Sequence, residues 1–142
     1  MDPLSVTAGI IAIFQAGSTL SNGLKKIISL KNAPDILLAL SNEVADIQVV
    51  LEDVDNLLRE HLEITGTEPV TSIDRVLKKV KSTLLKLQSL LAYKLTTVKG
   101  RGNELRLDRS VWLRLEGEVR ELKDEIRGDK VSLSSALSIL NS

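Results

Sequence analysis

From Pro3 to Leu24 the chain runs 22 residues without a charge, and beyond it apolar residues recur at alternating spacings of three and four. Leu37, Leu40, Val44, Ile47, Leu51, Val54 and Leu58 keep that spacing, which puts seven side chains on one face of a helix. Ile73, Leu77, Val80, Leu84, Leu87 and Leu91 predict a third helix, and Trp112, Leu115, Val119, Leu122 and Ile126 a fourth. No segment alternates with period two for long, and β-branched residues are scattered singly among leucines, so strands are not expected.

Local signals give the boundaries. Asp2 and Pro3 suit the start of the first helix; Asn32 is placed to cap the second, with Pro34 in its first turn and Asp35 completing a partial capping box. That helix is expected to reach about Leu62, where Gly66 and Pro69 predict a loop. The third is expected to start near Thr71 or Ser72 and close around Leu95, before a basic, weakly structured connection holding Gly100 and Gly102. Gly128 reads as the C-cap of the fourth helix, and Asp129 as the start of a last segment with Leu133, Ala136, Leu137 and Leu140 inward. Short connections favour antiparallel packing. The expectation is one all-α domain over residues 1–142, an antiparallel helical bundle of four to five helices with an apolar N-terminal helix. The last stripe stops with its apolar face barely complete, so the natural protein is expected to continue as a longer chain.

The uncharged opening spans about 33 Å as a helix, enough to reach across a hydrocarbon core. Gln15, Asn22, four hydroxyls and glycines 9, 17 and 23 make it a poor constitutive span. The basic residues Lys25, Lys26 and Lys31 follow the apolar run, the reverse of a secretory signal. Ala8, Ala12 and Ala16 form a strip suited to close approach of another helix. Leu4, Ile10, Ile11, Ile13, Phe14 and Leu20 are the candidates for membrane contact. In the folded state the helix is expected to dock in the bundle, with Ile10, Ile13 or Phe14, and Leu20 covered, and its glycines make it the element expected to release most easily.

Charge divides the chain. The formal net charge is zero, yet residues 1–70 hold four Lys/Arg against ten Asp/Glu, and residues 71–142 hold fifteen against nine. Glu43, Asp46, Glu52, Asp53, Asp55 and Glu60 make the second helix acidic; Lys78, Lys79, Lys81 and Lys86 make the third basic. If the two are neighbours, their flanks attract; otherwise the lysines are a candidate patch for anionic lipid or an acidic partner. Nucleic acid is not an expected partner, since only Phe14, Tyr93 and Trp112 could stack on bases and no zinc-finger or RNP-like motif is present. There is no cysteine and a single histidine, His61, read as a surface or boundary residue, so neither a zinc cluster nor a Cys-His pair can form. Lys99-Gly-Arg-Gly-Asn103 follows no predicted strand and is not a phosphate loop. No catalytic, cofactor or metal site is expected, and Trp112 is read as a core anchor.

The opening Met1-Asp-Pro-Leu-Ser-Val-Thr-Ala, then Gly-Ile-Ile-Ala-Ile and Gly-Leu-Lys-Lys at 23–26, resembles the fungal HeLo-like helical domains that precede NACHT or NB-ARC modules in NLR-like cell-death and incompatibility proteins. The later Trp112 and Lys130-Val-Ser-Leu-Ser-Ser-Ala-Leu137 extend the likeness over most of the chain. The resemblance implies an effector domain of a receptor-like protein, cytoplasmic at rest, that self-associates when its attached nucleotide-binding module is activated. It implies further that residues 4–24 are then released to target the plasma membrane and cause regulated cell death. The competing expectation is a protein–protein interaction or oligomerisation module that regulates the nucleotide-binding domain without touching lipid.

Overall fold

The computed structural model describes the backbone of residues 3–30, 32–60, 68–93, 97–99 and 105–141. Helices α1 (Pro3–Ile28), α2 (Asp35–Glu60), α3 (Glu68–Tyr93) and α4 (Arg109–Asn141) form a bundle, with two short strands, β1 (Thr97–Lys99) and β2 (Leu105–Leu107), between α3 and α4. The α1/α2 and α3/α4 pairs are antiparallel hairpins. α1 packs on α2 and α3, and α4 packs on the same two helices, so α2 and α3 stand on opposite corners. Contacts from Gln48 to Ser18, Glu43 to Arg127 and Thr83 to Glu125 fix the levels of the four helices along the bundle.

The predicted stripes are the core. Leu37, Leu40, Val44, Ile47, Leu51, Val54 and Leu58 are fully buried, and they meet Ile73, Val80, Leu84 and Leu87 of α3 and Val119, Ile126 and Leu133 of α4 in one cluster. α1 contributes Val6, Ile10, Ile13, Leu20 and Leu24. Trp112 is buried, as an anchor should be. Each large apolar side chain removed from water contributes about 1.5–3 kcal/mol, so burial along these stripes is the main source of stability.

Four local expectations are corrected. α4 does not end at Gly128 but continues to Asn141, because Val119, Leu122, Ile126, Asp129, Leu133 and Ala136 keep the three-four spacing straight through the glycine, with Asp129 in a core position. Pro69 belongs to the first turn of α3, where its missing donor costs nothing. The connection after α3 is a ribbon in which Thr97, Val98 and Lys99 pair antiparallel with Leu107, Arg106 and Leu105; strands of three residues are too short to leave a period-two signal. Asn32 does not cap α2. Its side-chain amide donates to the Leu107 carbonyl at 3.1 Å and accepts from the Leu107 N–H at 2.9 Å, a strand-like pairing that ties the α1–α2 turn to β2. Asp108 caps α4 instead: one carboxylate oxygen accepts from the Ser110 N–H and hydroxyl and from the Val111 N–H.

Gly128 gives a direct test of the continuous α4. It is exposed, and a methyl group there meets no atom within 4 Å. Gly128→Ala should therefore stabilise the domain by about 0.5–1 kcal/mol in urea unfolding, through helix propensity alone. A helix that stopped there with a left-handed cap would be destabilised by the same change.

Candidate interaction surfaces

Each helix turns a different outer face to water. α1 offers Ala8, Ile11, Ala12, Phe14, Gln15, Ser18, Thr19 and Asn22, none of them charged, before the exposed Lys25 and Lys26 of its last turn. α2 carries seven carboxylates against the one Arg59, which is held by Asp55 one turn away. α3 exposes Arg75, Lys78, Lys79, Lys81 and Lys86, and α4 balances six basic residues with six acidic ones.

The membrane-contact candidates split between the two sides of α1. Ile10, Ile13 and Leu20 lie in the core, each 2% exposed, whereas Ile11 is 46% and Phe14 36% exposed. Of Ile13 and Phe14, either of which was expected to be covered, Ile13 is the buried one, and Gln48 of α2 reaches the backbone of α1 at Phe14. The Gln48 amide donates to the Phe14 carbonyl and the Ser18 hydroxyl, both at 3.3 Å, and it crosses α1 over Gly17, where a methyl group would come within 2.9 Å of it. The side chain of Leu4 lies outside the described residues, as does His61. The alanine strip is not buried against a neighbouring helix: Ala8 and Ala12 are exposed and Ala16 is half-covered. The core instead takes the larger side chains of the opposite face, which gain more from leaving water. The polar residues of α1 are partly satisfied locally, as where Thr19 donates to the Gln15 carbonyl at 3.1 Å.

The candidate patch Lys78, Lys79, Lys81 and Lys86 is exposed along α3 and does not face α2. Lys78 pairs with Asp74 at 3.1 Å and Lys79 with Asp129 at 3.6 Å. The acidic helix finds its partners on α4: Glu43 accepts from Arg127 at 3.1 Å and Lys130 at 3.0 Å, and Lys130 also reaches Asp46 at 3.4 Å.

Two carboxylates that the sequence places on an acidic helix face and at the start of a last segment, Glu43 and Asp129, are instead buried, and their pKa values move in opposite directions. Burial pushes the Glu43 carboxyl up, but the hydrogen bonds and charges of Lys130 and Arg127 outweigh it and hold the group below its ordinary range. Asp129 is 1% exposed; burial pushes it above its ordinary range, against the pull of Lys79, and the neighbouring Glu125 adds to the rise. Thr83 faces the same point, its hydroxyl 3.5 Å from one Asp129 oxygen and 3.4 Å from Glu125. Asp129 could have been found as the one polar residue on the stripe from Val119 to Ala136, and Glu43 as the carboxylate beside Leu40 and Val44.

A groove of about 420 Å³ between α3 and α4, lined by Ser82, Leu85, Lys86, Ser89, Leu90 and Glu118, is open to solvent. Among the described residues no three His, Asp or Glu side chains converge as a metal site requires, and no helix is long and apolar enough to cross a membrane. No protein-family model, curated protein or solved structure matches the chain.

Glu43 and Asp129 contribute opposite pH dependences to folding. Glu43, lowered in the fold, stabilises fully above its unfolded value and stops doing so as pH falls through its folded value. Asp129, raised in the fold, makes stability fall as pH rises through its folded value. Urea unfolding across the acid range should show Glu43→Gln about 1–3 kcal/mol weaker than the parent at neutral pH, converging with it in acid. Asp129→Asn should be the more stable protein at neutral pH, and its advantage should shrink on acidification.

Proposed function

We propose that this bundle is a non-enzymatic effector and signalling domain of a larger receptor-like protein, as the resemblance of its opening implies, and that α1 is the element through which it acts. One observation carries this reading: α1 has no charge on any face from Pro3 to Leu24, although half of its circumference lies in water. Helix faces kept in water for solubility alone are ordinarily charged, as those of α2, α3 and α4 are. A face of Ala8, Ile11, Ala12 and Phe14 lets another helix approach closely, and it can dock without taking any residue out of the core. When the attached module clusters several copies, these faces meet each other or a partner protein.

A second reading, recruitment to the plasma membrane and regulated cell death, is favoured by the neighbourhood of α1. α3 lies beside it, so an uncharged helix neighbours one that exposes Arg75, Lys78, Lys81 and Lys86, a combination suited to an anionic lipid surface. Docking of this kind leaves α1 in place. Full release would expose Val6, Ile10, Ile13, Leu20 and Leu24 together with the faces of α2 and α3 they cover. At about 1.5–3 kcal/mol per side chain this rivals the whole stability of a domain, about 5–15 kcal/mol. Release of α1 alone, with the other three helices intact, is therefore not proposed.

The test is the full chain fused to an inducible oligomeriser, compared with Ile11→Glu and Phe14→Glu. Both positions are exposed, so circular dichroism should report an unchanged fold, whereas Ile13→Glu buries a charge and should unfold the domain. Cross-linking between clustered copies beyond the oligomeriser itself should be lost in the two exposed variants. If they cross-link like the parent, α1 is not the working element. Flotation with anionic vesicles that fails in the same variants selects the membrane reading over the protein one.

A further inference from the structure

The acidic and basic faces of the bundle point in opposite directions. α2 and α3 share both of their neighbours and stand on opposite corners, so the outer carboxylates Asp46, Glu52, Asp53 and Glu60 lie on the far side of the molecule from Arg75, Lys78, Lys81 and Lys86. Within one chain these groups cannot neutralise each other. Among the described residues, Asp46 shares Lys130 with Glu43, and Lys78 has Asp74 on its own helix. The membrane reading accounts for the basic face but leaves the acidic one without a role.

We infer that the α3 face of one copy docks on the α2 face of a second copy of this chain, so that copies join head to tail. Charge complementarity identifies the occupant, since each face is matched in sign by the other. The formal net charge of zero means that no overall repulsion opposes association. The contact is heterologous: it uses two different patches, each copy keeps one of each unfilled, and growth is open-ended unless the rotation between copies closes a ring. A nearly straight row places every α1 face on one side, which would join the single faces of the preceding reading into a continuous one. The docking itself does not depend on that reading.

Exposed charge pairs are individually weak, so the association should be salt-sensitive and should need high local concentration. The test is sedimentation velocity of the 142-residue chain, with the neutralising pairs Glu52→Gln/Asp53→Asn and Lys78→Gln/Lys86→Gln as variants at exposed positions. At low salt the parent should sediment faster with rising concentration, past the dimer, and should revert to monomer in high salt. Each double variant should associate at least about tenfold more weakly. Mixed together, they should form a one-to-one dimer that does not grow, because each retains the patch the other lacks. Ile11→Glu should leave this behaviour unchanged, which separates it from a failure of α1. A parent that stays monomeric at low salt, a species that stops at a dimer, or folded variants that fail to pair when mixed would each overturn the inference. Monomeric parent protein whose lysines bind only phosphatidylserine vesicles would assign the basic face to a membrane instead.

Discussion

Arg127 and Lys130 reach Glu43 on α2 from the same turn of α4 that sends Asp129 toward Lys79 and Thr83 of α3. Three side chains within four residues thus hold two different helices, one on each side of α4. With α1 packed on the same two helices from the opposite side, α2 and α3 are kept apart, and the surface pattern follows from that separation. Cohesion comes from the apolar stripes; the ion pairs select which stripes meet. A polar group in an otherwise apolar seam specifies partner and register at some loss of stability, and Asp129 has that character, since burial leaves one of its oxygens without a hydrogen bond.

The consequence outside the core is a molecule with four unlike sides. An acidic and a basic face oppose each other across one diagonal, and a face uncharged as far as Leu24 and a balanced face across the other. Had α2 and α3 been adjacent, their charges would have met within the chain and left no directional surface. The same packing limits what α1 can do. Its large apolar side chains hold the core together, so its freedom to act lies in the outer face, where Ile11 and Phe14 interrupt a surface of small and neutral residues.

The helical architecture was legible because its signal is periodic and repeated. The residues of the α2 and α3 stripes are buried, and Ile10, Ile13 and Leu20 of α1 are covered as anticipated. What misled was local chemistry read without tertiary context. Gly128 has the look of a C-cap, but the stripe on either side of it stays in phase once Asp129 is allowed inward. Asn32 has the composition of a cap, yet its amide is taken by Leu107, 75 residues away, which no neighbouring residue announces. Ala8 and Ala12 have the spacing of a packing strip, but the larger side chains on the other face of α1 gain more from burial. Which helices are neighbours was the least legible feature. It depends on long-range pairs such as Glu43 with Arg127, and helices of equal apolar width give no preference in their stripes alone.

The diagonal placement of α2 and α3 is the claim on which the surface account stands, and distances between spin labels test it directly. Asn22, Asn42 and Ser82 are exposed positions on α1, α2 and α3. Pairwise double electron–electron resonance at these three sites should give Asn42–Ser82 as the longest separation, because neighbouring helix axes lie about 8–10 Å apart and diagonal ones farther by roughly the square root of two. An Asn42–Ser82 distance no longer than the other two would put the acidic and basic helices side by side and contradict the account.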